Sequence, residues 1–278
     1  MAEITADAVK KLRDRTGMQM MKCKAALQKA DGDMEKAIEV LRKENAGAIA
    51  KVADRETAEG RIGVYIDPVK QVGALIELRC ESAPVAKSDL FVQLANDLAK
   101  QIALQEAKTP EALLAQPFVD DPKKTVSERV AEVVGLVREN MKPARMARLT
   151  GLLGSYIHHD GSVGVVVQVE GDKSDPQLLR DVSMHITARN PAAALREHVA
   201  KETIDKEMDI ARAQAAATGK PANIVEKIAE GKMKTWFADN VLVEQPFVKD
   251  DSKTVGDLLK ASGLKLVKFV RFRVGELG

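Results

Sequence analysis

The groups in this chain best suited to chemistry are four histidines and two cysteines, and their spacing limits what they can do. The histidines are His158, His159, His185 and His198. His158-His159-Asp160 brings two imidazoles and a carboxylate into one short polar segment, a composition that could take a metal ion or a phosphate. Adjacent histidines converge poorly on one ion without further ligands. The segment therefore reads as an exposed turn, and no metal site is assigned. Cys23 and Cys80 stand alone and read as small buried hydrophobes in a reducing compartment. The chain has no GxxxxGK[ST] phosphate loop, no GxGxxG, no HExxH and no paired CxxC. Neither an enzyme activity nor a cofactor is expected.

Two other groups of residues are better suited to binding. Met18, Met20 and Met21 cluster between two helical stretches. They could fill a core, but three methionines at a turn favour an adaptable contact surface. Ala83-Pro84 lies in a strand-to-helix connection that carries no group able to act as general acid or base there.

Composition excludes several classes. Lys and Arg number 43 against 41 Asp and Glu, a net charge of +2, which gives no electrostatic footprint for wholesale nucleic-acid binding. Basic runs at 142–148 and 260–273 read as solvated faces. Aromatics are 3%, too few for a stacking platform on single strands. The longest apolar run, 163–167, cannot cross a bilayer, and the N-terminus has no apolar secretory core. The expectation is a soluble cytoplasmic protein with no membrane or direct nucleic-acid partner.

The elements that must position these residues come from a duplication. QPFVDDPKKTV at 116–126 returns as QPFVKDDSKTV at 245–255. Upstream, Gly63-Val64-Tyr65-Ile66 followed by Val72-Gly73-Ala74-Leu75-Ile76 matches Gly154-Ser155-Tyr156-Ile157 followed by Val163-Gly164-Val165-Val166-Val167. Aligning the copies leaves a surplus of about seven residues in the first, on 81–87. The second carries about 45 residues absent from the first, between roughly 188 and 245. Insertions on a shared scaffold are where function tends to sit.

Residues 1–45 read as a compact three-helix docking module. Thr5 can cap its first helix, Thr16-Gly17 ends it, and Asp33 can cap a third whose Met34, Ala37, Ile38 and Leu41 form one stripe. Residues 46–59 are rich in Ala and charge, lack a clear apolar face and read as a linker, with a helix as one of its options. Each copy, 60–149 and 150–278, then predicts a β-hairpin, helices and a closing strand. Antiparallel sheets with helices on one face make an α+β fold. Within the second copy, Ile204, Met208, Ala211 and Ala215 have heptad-like spacing, and Gly219-Lys220-Pro221 breaks the pattern. A helical hairpin at about 197–237 follows, as a packed pair or as a partner-binding arm.

Several motifs then carry a resemblance. Thr16-Gly17, Met20-Met21, Cys23-Lys24, Ala26-Leu27, Gly32-Asp33 and Glu35-Lys36-Ala37-Ile38 resemble the N-terminal module of the bacterial elongation factor Ts family. Gly219-Lys220-Pro221, Ile224-Val225-Glu226-Lys227-Ile228, both QPFV segments and Phe269-Val270-Arg271-Phe272 with Val274-Gly275-Glu276 resemble it too. The resemblance spans essentially the whole chain. It implies a guanine-nucleotide exchange factor that binds elongation factor Tu in its GDP form and promotes release of GDP and Mg²⁺. It also implies a ubiquitin-associated-like first module, a duplicated α+β core and a coiled-coil hairpin. A homodimer or a two-to-two complex with the partner is compatible with it.

The implied contacts are Leu12, Met20, Met21 and Lys24 in the first module, His158 in the second repeat, and the loop Ser82, Ala83, Pro84 and Val85. That loop falls where the family carries a Thr-Asp-Phe-Val segment that disturbs the partner's Mg²⁺ site. Here the acid is Ala83 and the aromatic is Pro84, and a proline offers far less apolar area than a phenylalanine ring. Pro84 is expected to act as a rigid prop with Val85 as the apolar contact, and the Ser82 side chain is expected to matter little. Gln19 and Lys22 replace the family's usual glycine and aspartate. The alternative is a protein that holds elongation factor Tu without efficient exchange.

Overall fold

A computed structural model describes residues 4–276. Helix α1 (Ala6–Thr16) starts on Thr5, whose hydroxyl accepts the Ala8 N–H, and ends on Gly17 in the left-handed region at φ 67°. Helix α2 (Met20–Lys29) follows. Asp33 then caps α3 (Met34–Val52) through the N–H groups of Glu35 and Lys36. Leu12, Met18, Cys23, Leu27, Ala37 and Leu41 fill the core of this three-helix unit.

Helix α3 runs beyond the expected end of the module at 45, so the first part of the expected linker is helical. Its later turns leave the module, and Ile49 and Val52 join the hydrophobic core of the first repeat. Buried Asn45 shares their face at helical spacing. One helix therefore serves two cores, which makes the connection stiff.

The first repeat pairs β1 (Glu59–Asp67) with β2 (Val72–Cys80) as an antiparallel hairpin. A single helical turn α4 (Ala83–Ala86) leads into α5 (Asp89–Leu104), capped by Ser88. Next come α6 (Pro110–Ala115), a small ribbon of β3 (Pro117–Phe118) and β4 (Asp121–Thr125), α7 (Val126–Val137) and β5 (Met141–Thr150). The second repeat holds β6 (Leu152–Ile157), β7 (Val163–Glu170) and α8 (Pro176–Arg189). The inserted helices α9 (Lys201–Ala216) and α10 (Ala222–Asn240) follow. The ribbon β8 (Pro246–Phe247) and β9 (Asp250–Thr254), α11 (Val255–Ala261) and β10 (Lys265–Arg273) complete it.

The sheets are antiparallel, in the orders β1-β2-β5 and β10-β7-β6. This is the expected α+β arrangement. Helices cover one face of each sheet. The other faces meet through Ile62, Leu75, Leu149 and Val166. Strand β2 is consequently buried on both sides. The helices lie close over the strands at matched glycines. A Cβ on Gly63 would strike the Ala95 backbone, and one on Gly154 would strike Leu179.

The two QPFV segments form the ribbons, and each ends in a capping box, Thr125 with Glu128 and Thr254 with Asp257. Helices α9 and α10 pack on one another through Ala211, Ala229 and Met233, with Ile204, Met208, Trp236 and Phe237 around them. Arg212 forks onto Glu226 across that pair, with closest contact 2.7 Å.

Candidate partner-binding site

The surplus segment of the first repeat is a built turn with an exposed tip. Pro84 stands near the start of α4, where a proline needs no N–H partner and its fixed φ suits the helix. Its side chain is exposed, whereas Val85 packs part-buried on the first-repeat core. Ala86 is fully inside. Val85 is thus mainly a root of the turn, and Pro84 is its tip.

The base of the turn is tied by residues that sequence reasoning missed. Glu139 accepts the Ser82 N–H at 3.0 Å and the Ser82 hydroxyl at 2.5 Å. In the opposite direction, the Asn140 N–H donates to Glu81 at 2.6 Å. Cys80 and Met141 are register partners, so these side chains extend the β2–β5 pairing past the strand ends. Asn140 Nδ2 also donates to the carbonyls of Ala53 at 3.0 Å and Arg55 at 2.8 Å, just beyond α3. The Arg55 guanidinium reaches Glu81 and the Arg138 carbonyl at 3.4 and 3.3 Å. The Ser82 side chain, expected to matter little, is therefore part of the anchor.

Cys80 sits at the same point. Burial, reinforced by the Glu139 charge, pushes its thiol up to about 12. A thiol so rarely ionised is structural and not nucleophilic.

In the first module the three methionines separate. Met18 is buried in the core, while Met20 and Met21 are 51% and 74% exposed at the start of α2. Lys24 is exposed one turn on from Met20. Leu12 is a correction. It is fully buried among Met18, Cys23 and Leu27, so it shapes the module from within and cannot touch a partner directly. Lys22 points elsewhere, with Nζ donating to the Gly135 carbonyl of α7 at 3.0 Å. Asn45 closes the same seam, because a Cβ on Gly135 would clash with its side-chain oxygen.

His158 is part-buried at the β6–β7 turn and is held by backbone bonds to Val163 and Gly161 at 2.9 and 2.8 Å. It lines a cleft of about 530 Å³ with Tyr156, Asp160, Ser162, Arg271 and Arg273. Burial pushes the Asp160 carboxyl upward. The N–H and hydroxyl of Ser162, with His158 and His159 beside them, outweigh that and hold it below the usual carboxylate range. Among the described residues, no group of three or more His, Cys, Asp or Glu side chains is placed to hold a metal ion. No helix of the described residues is long and apolar enough to cross a membrane.

The tied turn and the exposed methionines both lie in parts of the chain that known proteins share. A family model described as elongation factor TS matches residues 81–276. An elongation factor Ts of Clostridium kluyveri (strain ATCC 8527) is 40% identical over 285 aligned positions, covering 98% of this chain and 93% of the relative. Elongation factors Ts of Clostridium botulinum, strain 657 and strain Okra, are 39% identical with the same coverage. Likeness at that level along nearly the whole chain, first module included, leaves one assignment: the chain belongs to the elongation factor Ts family.

Proposed function

We propose that this translation elongation factor acts as a guanine-nucleotide exchange factor for elongation factor Tu, working by binding and not by covalent chemistry. Such a factor binds the nucleotide-free partner far better than the GDP form, and by linkage it weakens GDP equally. A hundredfold weakening needs about 2.7 kcal/mol of differential binding. The observation that carries the reading is the 82–85 turn, an exposed prolyl tip on a hydrogen-bonded base. Such a tip can press on a partner without the ordering cost of a loose loop.

In this reading Met20, Met21 and Lys24 make the first contact and His158 adds a second. The first module is ubiquitin-associated-like, and α9 with α10 form a coiled-coil arm peripheral to exchange. Residues 1–45 dock, 46–59 connect, and 60–149 and 150–278 form the repeated core.

A second reading, in which the chain holds elongation factor Tu without efficient exchange, is favoured by one feature. Ala83 and Pro84 supply neither a carboxylate nor an aromatic ring to the partner. Stopped-flow release of fluorescent GDP from elongation factor Tu separates the two. Acceleration that saturates with added factor supports exchange. Binding seen by calorimetry without acceleration supports the second reading and overturns the first.

A further inference from the structure

The polar anchor under the 82–85 turn has no counterpart in the second repeat. Register places Glu170 opposite Lys265 there, as Cys80 is opposite Met141 in the first. The residues beyond are Gly171 and Asp172 against Gly263 and Leu264. Gly171 sits so near the Gly263 carbonyl that a Cβ would come within 2.7 Å of its oxygen. Among the described residues, no side-chain hydrogen bond crosses that place. The fold can therefore close this corner with backbone packing alone. Only the copy bearing the surplus turn uses Glu81, Ser82, Glu139 and Asn140.

These residues also lie where the first module meets the core. Helix α7 receives the module at Gly135, through Lys22 Nζ and Asn45. Two residues beyond its end come Glu139, which holds Ser82, and Asn140, which holds Glu81 and the two carbonyls after α3. The module and the turn thus hang from the same short stretch of chain. We propose that Glu139 and Asn140 are positioning residues for exchange, fixing the 82–85 turn at a set offset from the docking module so that both engage the partner as one body. This rests on the exchange reading above.

The test uses the full chain and the variants Glu139→Ala, Asn140→Ala and Glu139→Gln. Hydrogen exchange without partner should rise roughly ten- to hundredfold at the amides of 82–88 in Glu139→Ala, the scale of a lost hydrogen bond to a charged group. Asn140→Ala should also loosen the segment after α3. Release of fluorescent GDP from elongation factor Tu at saturating factor should slow at least about fivefold, with the half-saturating concentration within about twofold of the parent. Glu139→Gln, which keeps the volume and one acceptor, should fall between, and it carries the test if an alanine variant loses its cooperative melt.

Unchanged hydrogen exchange at 82–88 in all variants overturns the anchor. A loosened turn with an unchanged saturating rate overturns the positioning role alone. A parent chain that fails to accelerate GDP release overturns the exchange reading, and the positioning role with it.

Discussion

His185 stands in the second repeat where Gln101 stands in the first, and both are completely buried. Gln101 accepts the Val119 N–H at 2.7 Å and donates to Gln116 at 3.0 Å. His185 Nδ1 accepts the Val248 N–H at 3.1 Å, and Nε2 pairs with Gln245 at 2.9 Å. A backbone N–H can only donate. The imidazole must therefore be neutral with its proton on Nε2. One copy makes this node from a group that cannot titrate, and the other from one that can.

Burial, with a smaller push from Arg189, lowers the His185 pKa below its ordinary 6.5, although the Gln245 bond opposes the shift. The unfolded chain then takes up the proton before the folded one. Stability is complete above about pH 6.5 and is lost as pH falls towards the folded pKa. Urea melts between pH 7.5 and 5.5 should show this slope in the parent. His185→Gln, which copies the first repeat, should fold and flatten it. An unchanged slope would place the titrating group elsewhere.

Glu77 ties the two sheets together from a nearly closed position, 2% exposed. It accepts from Arg145 Nε at 2.6 Å and from the Gly275 N–H at 2.9 Å, while the Arg145 guanidinium lies over the Phe272 ring. Glu77→Ala should cost about 1.5–3 kcal/mol, the range for a lost hydrogen bond to a charged group, because Arg145 is partly exposed and keeps the Arg273 carbonyl. Glu77→Gln should cost less, since Gln168 holds the matching position in the second repeat. Chemical denaturation reads both, and a cost under about 1 kcal/mol for alanine would mean that solvent replaces the pair.

The methionines of the first module should divide by variant. Met21→Ala removes an exposed side chain and should leave the melt within about 0.5 kcal/mol while weakening elongation factor Tu binding. Met18→Ala opens a core cavity and should cost about 2–5 kcal/mol. Calorimetric binding beside thermal melts distinguishes them. Full affinity in Met21→Ala with Met20→Ala would move docking off this face.

Much of the fold was legible because its signals are local. The repeated QPFV segments, the caps at Thr5 and Asp33 and the stop at Gly17 each announce a boundary within a few residues. A helix through the linker is compatible with its composition, but its packed face is not legible, because that face passes through Asn45, a polar residue that the missing side chain of Gly135 leaves room to bury. The surplus turn was visible from the repeat alignment, but its anchor was not. Glu139 and Asn140 lie more than fifty residues from Glu81 and Ser82, and nothing in local composition pairs them. The Leu12 contact follows from the resemblance alone, and likeness of sequence does not tell a core position from a docking one; Leu12 is fully buried.

The tip and the base of the 82–85 turn should fail in different ways. Pro84 is exposed and makes none of the anchoring hydrogen bonds, so its contribution is a restricted backbone. Pro84→Gly widens the states open to the turn and should slow GDP release several-fold, with little change in the melt because the core beneath is untouched. Ser82→Ala removes the hydroxyl that Glu139 accepts but keeps the N–H bond to the same carboxylate. It should cost roughly 1–2 kcal/mol locally, visible as faster hydrogen exchange at 82–88. Its effect on GDP release should follow that loosening. Stopped-flow release and hydrogen exchange measured on the same preparations decide the matter. If Pro84→Gly releases GDP at the parent rate, the turn is only a connection, and exchange must rest on the exposed methionines and His158.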